Sequence, residues 1–94
     1  SAGLTIGVAL LSLLTGRPAR RDIAFTGEIT LSGRILPVGG IKEKLLAARR
    51  AGIKAMVLPA KNEPDVQYIP EQITRDLQII QADQFDEVVD KVLV

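Results

Sequence analysis

The sequence predicts an α/β (α+β) domain, in which helices pack on a mixed sheet that contains at least one parallel pair of strands. The order of the predicted elements favours this class, and the composition indicates what kind of core it has. Strand-like apolar runs alternate with segments of helical period after residue 33. Of the 94 residues, 47% are hydrophobic and 24% are charged, and only 3% are aromatic. The composition is therefore that of a packed globular domain with an aliphatic core.

The first predicted element is a helix over residues 2–14 that is apolar on nearly all sides, which is typical of a helix wrapped by its neighbours. Gly3 and Gly7 give it a smooth face for close packing, and Gly16 is placed to end it. The apolar run is too short to cross about 30 Å of hydrocarbon. We therefore expect a buried core helix rather than a membrane span.

A strand, a hairpin and a second helix are expected next. Residues 23–26 predict a buried strand, and residues 28–31 and 34–38 predict two extended runs joined by a turn at Ser32-Gly33. Residues 41–51 have helical period, and Gly52 follows as a helix end.

The last third of the chain predicts two strands, short helical turns and a final helix. The expected elements are a strand over 54–58, a loop over 59–70 with a helical turn at 64–68, a turn of helix within 70–76 and a strand over 77–81. Asp83 is placed to cap the final helix. That helix has an apolar face at helical spacing, formed by Phe85, Val88, Val89, Val92 and Leu93.

The composition also limits the chemistry. The chain has no cysteine and no histidine, so it lacks thiolates, disulfides and the commonest general base and metal ligand. A net charge of +1 is too small to indicate a nucleic-acid partner. No phosphate-binding glycine loop and no cluster of metal ligands is visible, so no cofactor and no metal site is expected in this chain. Catalysis would have to use Ser, Thr, Lys, Asp, Glu or Tyr, or groups outside the chain.

Lys44 is the first candidate for such chemistry. With about 100° per residue along the second helix, Ile41, Leu45 and Ala48 share one face, and Lys44 lies about 60–70° from its centre. Lys42 falls on the polar flank, so Lys44 is expected to be the drier of the two lysines. A desolvated lysine loses proton affinity and can act as a base. The alternative is a lysine that buries its stem and keeps its ammonium in water.

Ser1 and Thr26 are the other candidates. A serine directly before a helix is a favoured cap, but the same geometry points backbone N–H groups at its hydroxyl, where they can stabilise an oxyanion. Ala2 and Gly3 belong to that region, and Gly3 would let a substrate backbone approach. With no histidine present, Lys44 is the natural base for Ser1. The Thr26 hydroxyl could accept a hydrogen bond from the lysine, or it could bond locally in its strand.

Several spaced motifs closely resemble one family along essentially the whole chain. They are Ser1-Ala2-Gly3, Thr15-Gly16, Thr26-Gly27-Glu28, the run from Leu36 to Lys44, Ala51-Gly52-Ile53-Lys54, Leu58-Pro59 and Asn62. They are similar to the proteolytic domain of Lon, the ATP-dependent serine protease, in its A-type form. The resemblance implies that Ser1 is the nucleophile, that Lys44 rather than Lys42 is its partner, and that Thr26 orients the lysine.

The resemblance also implies the setting of the domain. Residues 1–94 would be the C-terminal half of a Lon proteolytic domain, incomplete at its N-terminal side because upstream site residues of the family are not in this chain. The whole protein would degrade unfolded or damaged proteins as a homohexamer, with ATP and Mg²⁺ bound in its own ATPase domain. No membrane or nucleic-acid partner is implied. The bacterial cytoplasm is the expected compartment, with the mitochondrial matrix as the alternative.

Three other functions are compatible with parts of this pattern. A non-catalytic Lon-like assembly domain of a RadA-type recombination protein would share the region from Thr26 to Val38, but would not be expected to keep both Ser1 and Lys44. An N-terminal nucleophile hydrolase would use the amine of Ser1 as its own base, yet such enzymes usually begin with a strand. An isolated folded fragment could also act only as a scaffold.

Overall fold

A computed structural model of the chain describes residues 3–93 and has the α/β architecture that the sequence predicts. The five helices, five strands and one 3-10 turn of this part of the chain are, in order, α1 (Gly3–Thr15), β1 (Ile23–Phe25), β2 (Glu28–Ile29), β3 (Ile35–Leu36), α2 (Ile41–Arg50), β4 (Ala55–Pro59), the turn Ala60–Asn62, α3 (Glu63–Val66), α4 (Glu71–Thr74), β5 (Gln78–Ala82) and α5 (Asp86–Val92).

Two sheets organise these elements. In the larger sheet, β4 lies between β1 and β5 and pairs parallel with both, so that Val57 is opposite Phe25 on one side and Ile80 on the other. This confirms the expected parallel pairing. The smaller sheet is the predicted hairpin of β2 and β3, with Glu28 opposite Leu36. Its strands are shorter than expected because the backbone already turns at Thr30, whose carbonyl accepts a hydrogen bond from the Gly33 N–H at 2.9 Å.

The central strand β4 separates two apolar clusters, because successive side chains of a strand point to opposite faces. Ala55 and Val57 pack with residues of α1 and α5, whereas Met56 and Leu58 pack with residues of α2 and α4. Every residue of β4 is buried. The molecule therefore has helices on both faces of a thin parallel sheet.

The expectation that the first helix is buried on all sides is wrong for this chain. Leu4 and Val8 are buried, but the opposite side of α1 is open, with four large hydrophobic side chains between 55% and 85% exposed: Ile6, Leu10, Leu13 and Leu14. The described elements cover only the face of α1 that meets the sheet and α5. No helix within residues 3–93 is long and apolar enough to cross a membrane.

The expected cap of the last helix is also wrong. α5 begins at Asp86, its N-cap residue is Phe85 rather than Asp83, and no hydrogen bond from an N-cap side chain is formed. Instead, the carboxylate of Glu87 accepts hydrogen bonds from the backbone N–H groups of Asp83 and Gln84. The Asp83 carbonyl accepts a hydrogen bond from the Ile35 N–H at 2.9 Å. Asp83 thus joins the hairpin to the segment before α5 through its backbone.

Two leucines of α1 provide a matched test of this packing. Leu4 is fully buried and Leu13 is 80% exposed. In the 94-residue chain we expect Leu4→Ala to lower the free energy of unfolding by about 2–5 kcal/mol, because it removes core contacts and leaves a cavity. Leu13→Ala should change it by no more than about 0.5 kcal/mol. Urea denaturation of both variants checks this, and equal losses would contradict the described orientation of α1.

Candidate active site

An open groove of about 400 Å³ lies where the end of β1 faces α2. Most of its lining is aliphatic or aromatic and includes Ala24, Phe25, Ala47, Ala51, Ile53 and Met56. Among the described residues of the lining, Lys44 is the one ionisable group, and Thr26 supplies a hydroxyl. In open α/β sheets, binding sites concentrate at the carboxyl ends of parallel strands, and Thr26 directly follows β1. The groove is therefore placed where a site is expected, with two polar groups in an apolar wall.

The face of α2 determines where Lys44 lies. Ile41, Leu45 and Ala48 are buried in the core, whereas Lys42 is exposed and Lys44 is half-buried at the edge of that face. This confirms the predicted difference between the two lysines. It follows from helical geometry, since a residue three positions after Ile41 and one before Leu45 lies beside the buried stripe.

The Lys44 amine is held by the backbone. Its Nζ donates a hydrogen bond to the Gly39 carbonyl oxygen at 3.0 Å. No carboxylate among residues 3–93 forms an ion pair with it. The acceptor lies just before α2, where Gly40 turns the chain with φ 69°. The lysine therefore has a neutral partner that orients its amine without a counter-charge.

Thr26 is buried, with 2% of its surface exposed. Its backbone N–H donates to the Val57 carbonyl at 3.1 Å and so continues the parallel pairing, but its Oγ1 has no hydrogen-bond partner within the described chain. The structure brings Thr26 and Lys44 to one groove, as expected. It does not show the expected hydrogen bond between them, because the Lys44 amine is turned to Gly39.

Ser1 and Ala2 lie outside the described residues. The helix that follows them is anchored beside Thr26, because the Leu4 N–H donates to the Gly27 carbonyl at 3.0 Å. The space beside the Gly3 α-carbon is occupied by this chain, since a Cβ there would lie 3.0 Å from Glu28 Oε2 and 3.2 Å from the Ile29 nitrogen. Gly3 thus lets β2 approach α1 closely, and its contact with a substrate stays a prediction.

Asn62 is a buried polar residue that does not line the groove and to which the sequence pattern gave no role. It is 2% exposed, and its Oδ1 accepts from the Val38 N–H at 3.0 Å. Its Nδ2 donates to the Val38 carbonyl and to Asp65 Oδ2, both at 2.8 Å. The sequence did carry a signal for a helix start here, because an asparagine three residues before an aspartate is typical of one. It carried no signal for the bond to Val38, which joins residues 24 positions apart.

One ion pair of the described residues, between Arg20 and Asp22, lies outside the groove. The Arg20 guanidinium donates two hydrogen bonds to the Asp22 carboxylate, at 3.1 and 2.8 Å. These bonds lower the pKa of Asp22 below its ordinary value and raise that of Arg20. Neither residue lines the groove. Within residues 3–93, no group of three or more acidic side chains is placed to hold a metal ion.

Comparison with known proteins gives one consistent result. The family model of the Lon protease (S16) C-terminal proteolytic domain matches residues 1–94. The chain is 57% identical over 88 residues to Lon protease 1 of Thermus thermophilus and 53% identical over 88 residues to Lon protease of Chloroflexus aggregans, covering 94% of this chain in each case. Lon protease of Anaeromyxobacter dehalogenans is 56% identical over 93 residues, 99% of the chain. The matched region spans 11% of the length of each of these relatives.

The two glycines before α2 supply a test of the backbone turn whose Gly39 carbonyl binds the Lys44 amine. Gly40 has φ 69°, a left-handed conformation that costs an L-residue about 1–2 kcal/mol. Gly39 lies outside that region, and a Cβ there would meet nothing within 4 Å. Gly40→Ala should therefore lower the free energy of unfolding by about 1–2 kcal/mol. Gly39→Ala should leave it within about 0.5 kcal/mol. Denaturant titration of both variants decides, and a larger loss for Gly39→Ala would contradict the described turn.

Proposed function

The chain belongs to the Lon protease (S16) C-terminal proteolytic domain family, and from that premise we propose that it hydrolyses peptide bonds with a Ser1–Lys44 catalytic dyad. In this proposal Ser1 is the nucleophile of a serine endopeptidase and Lys44 is its general base. Thr26 orients the lysine. The rest of the groove offers apolar surface beside the reacting groups.

The placement of Lys44 is the observation that carries the proposal. Its side chain is half-buried, lines an apolar groove and has no carboxylate partner among residues 3–93. A lysine that serves only solubility needs none of these features. The buried Thr26 hydroxyl in the same groove has an unused acceptor. A buried polar group without a partner costs about 1–3 kcal/mol, so its retention is better explained by a role at a site than by folding.

The start of α1 supports the assignment of Ser1. Ser1 precedes Gly3 by two residues, and two peptide units span at most about 7 Å between α-carbons. Gly3 begins α1, and the next residue is tied to Gly27, the neighbour of Thr26. The proposal therefore places Ser1 in the region that holds Thr26. The first N–H groups of a helix have no intrahelical partner, and since Gly27 already accepts the Leu4 N–H, the oxyanion donors in this proposal are other N–H groups at the start of α1.

The proposed hydrolysis can be written with these residues alone, with every proton and bond accounted for. The neutral Lys44 amine accepts the Ser1 hydroxyl proton while Ser1 Oγ attacks the peptide carbonyl carbon, and backbone N–H groups at the start of α1 hold the oxyanion. The tetrahedral species collapses, the C–N bond breaks, and Lys44 gives its proton to the leaving amine. Water then attacks the acyl-enzyme, with Lys44 again accepting and returning the proton. The Gly39 carbonyl and Thr26 Oγ1 can each accept one N–H of the amine, which leaves its lone pair for Ser1.

We extend the proposal to the whole protein by resemblance. These residues would be the C-terminal half of a proteolytic domain. The complete protein would be an ATP-dependent protease of unfolded or damaged proteins that assembles as a homohexamer, with ATP and Mg²⁺ bound in an ATPase domain of the same polypeptide. The bacterial cytoplasm is the proposed compartment. Since the matched region spans 11% of its relatives, each of these properties is to be tested on the full-length protein.

The two lysines of α2 form a matched pair for testing the dyad. Lys44→Met removes the proposed base but keeps an unbranched side chain at the edge of the buried face, so peptidase activity of the full-length protein should fall by at least about 10³-fold. Lys42→Met removes a lysine that is exposed on the same helix and should leave activity within about twofold. Cleavage of a fluorogenic peptide is the measurement. Full activity of Lys44→Met would exclude the dyad.

Thr26→Val tests the role of the unpartnered hydroxyl. Valine has nearly the same shape, and the hydroxyl that it replaces makes no hydrogen bond within residues 3–93. The variant should therefore be at least as stable as the parent, because burial of an unsatisfied polar atom is relieved. If Thr26 orients Lys44 during the reaction, kcat should fall by about 10-fold or more with KM little changed. Unchanged kcat together with raised stability would show that the hydroxyl has no catalytic part.

A further inference from the structure

The side chain of Asn62 does not perform the function that its position predicts. Asn62 is the N-cap residue of α3, where an asparagine normally accepts a hydrogen bond from the first turn of its own helix. No such bond is made. The amide is instead directed to Val38, in the segment between β3 and α2, and Asp65 accepts the second Nδ2 hydrogen at 2.8 Å. Two of its three hydrogen bonds are thus made with another part of the chain.

The bonds to Val38 fix the backbone on both sides of one α-carbon. Oδ1 receives the Val38 N–H and Nδ2 donates to the Val38 carbonyl, so the amide pairs with Val38 as a neighbouring strand would. This arrangement also defines which end of the amide is oxygen, because only an oxygen can accept the N–H. The next residue is Gly39, whose carbonyl accepts the hydrogen bond from Lys44 Nζ at 3.0 Å. The residue that Asn62 binds is therefore directly followed by the residue whose carbonyl accepts Lys44.

The segment that follows the clamp has little else to hold it. Among the described residues, a Cβ on Gly39 would meet nothing within 4 Å, and a Cβ on Gly40 would meet only the flexible side chains of Glu43 and Lys44. Two successive glycines have a large conformational entropy to lose. The direction of the Gly39 carbonyl thus depends on Val38 on one side and on the start of α2 on the other.

We propose that Asn62 is a positioning residue for Lys44. By holding Val38 through both backbone groups, it sets the direction of the Gly39 carbonyl, and that carbonyl orients the Lys44 amine. The inference rests on the proposed function, since it names a support for the proposed base. Asn62 itself touches neither the nucleophile nor the substrate in this scheme.

The experiment uses the full-length protein with Asn62→Ala and a fluorophosphonate probe. The probe reacts when Ser1 Oγ displaces fluoride from phosphorus while the base takes the hydroxyl proton. If Asn62 positions Lys44, labelling of Asn62→Ala should reach the same final extent as the parent, but about 10- to 100-fold more slowly. Peptide hydrolysis should lose kcat by a similar factor with KM unchanged.

Three further variants keep the inference testable. Val88→Ala opens the core cluster on the other face of the sheet at a fully buried residue, and its labelling rate should match that of the parent. Asp65→Ala leaves both bonds to Val38 and should slow labelling less than about threefold. Should Asn62→Ala not fold, Asn62→Asp keeps the acceptor for the Val38 N–H but loses both donors, and its rate should lie below that of the parent with KM unchanged.

The outcomes separate this inference from the proposed function. If an Asn62 variant is labelled at the parental rate to a smaller final extent, Asn62 only supports folding and the inference is overturned alone. If labelling of the parent protein does not depend on Ser1, the proposed function is overturned and the inference with it. Slow but complete labelling in the Asn62 variants, with a normal rate in Val88→Ala, supports it.

Discussion

The packing of α2 on the central strand is the constraint on which the candidate site depends. Ile41, Leu45 and Ala48 are buried in one cluster with Met56 and Leu58 of β4. This contact fixes the rotation of α2 about its own axis, and the rotation decides which lysine reaches the groove. A turn of about 100° would place Lys44 either in the core or in water. The packing that buries Ile41, Leu45 and Ala48 therefore also directs Lys44 to the groove.

Two buried polar side chains beside this contact illustrate opposite solutions to desolvation. Asn62 uses its amide oxygen and both amide hydrogens, which offsets the cost of removing it from water. The Thr26 hydroxyl has no partner within the described residues. A fully satisfied group rigidifies its surroundings, whereas an unsatisfied one remains available to a partner. Asn62 suits a support and Thr26 suits a group that acts during a reaction.

The sheet brings these residues together from distant parts of the sequence. Thr26 follows β1, Asn62 closes the turn after β4, and Lys44 lies on the helix that connects the two strands. Since β1 and β4 run parallel, their carboxyl ends meet at one edge of the sheet. The hairpin of β2 and β3 lies between them in sequence and passes α1, whose glycines Gly3 and Gly7 allow it to approach closely. Parallel pairing is thus what assembles the groove.

The sequence alone determined the features that rest on local periodicity and on family-wide spacing. It placed the apolar face of α2, the greater burial of Lys44 than of Lys42, the hairpin turn at Gly33 and the membership of the family. These follow from backbone geometry within a few residues or from motifs that recur together. Only the tertiary structure decided the rest. It left one face of α1 open, replaced the Asp83 cap by Glu87, turned the Lys44 amine to Gly39 and directed Asn62 to Val38. The open face of α1 and the bond from Asn62 depend on which distant segments pack together. The other two depend on which nearby acceptor each donor meets: Glu87 accepts the backbone N–H groups before α5, and Gly39 accepts the Lys44 amine. Neither kind of choice is encoded in helical or strand period.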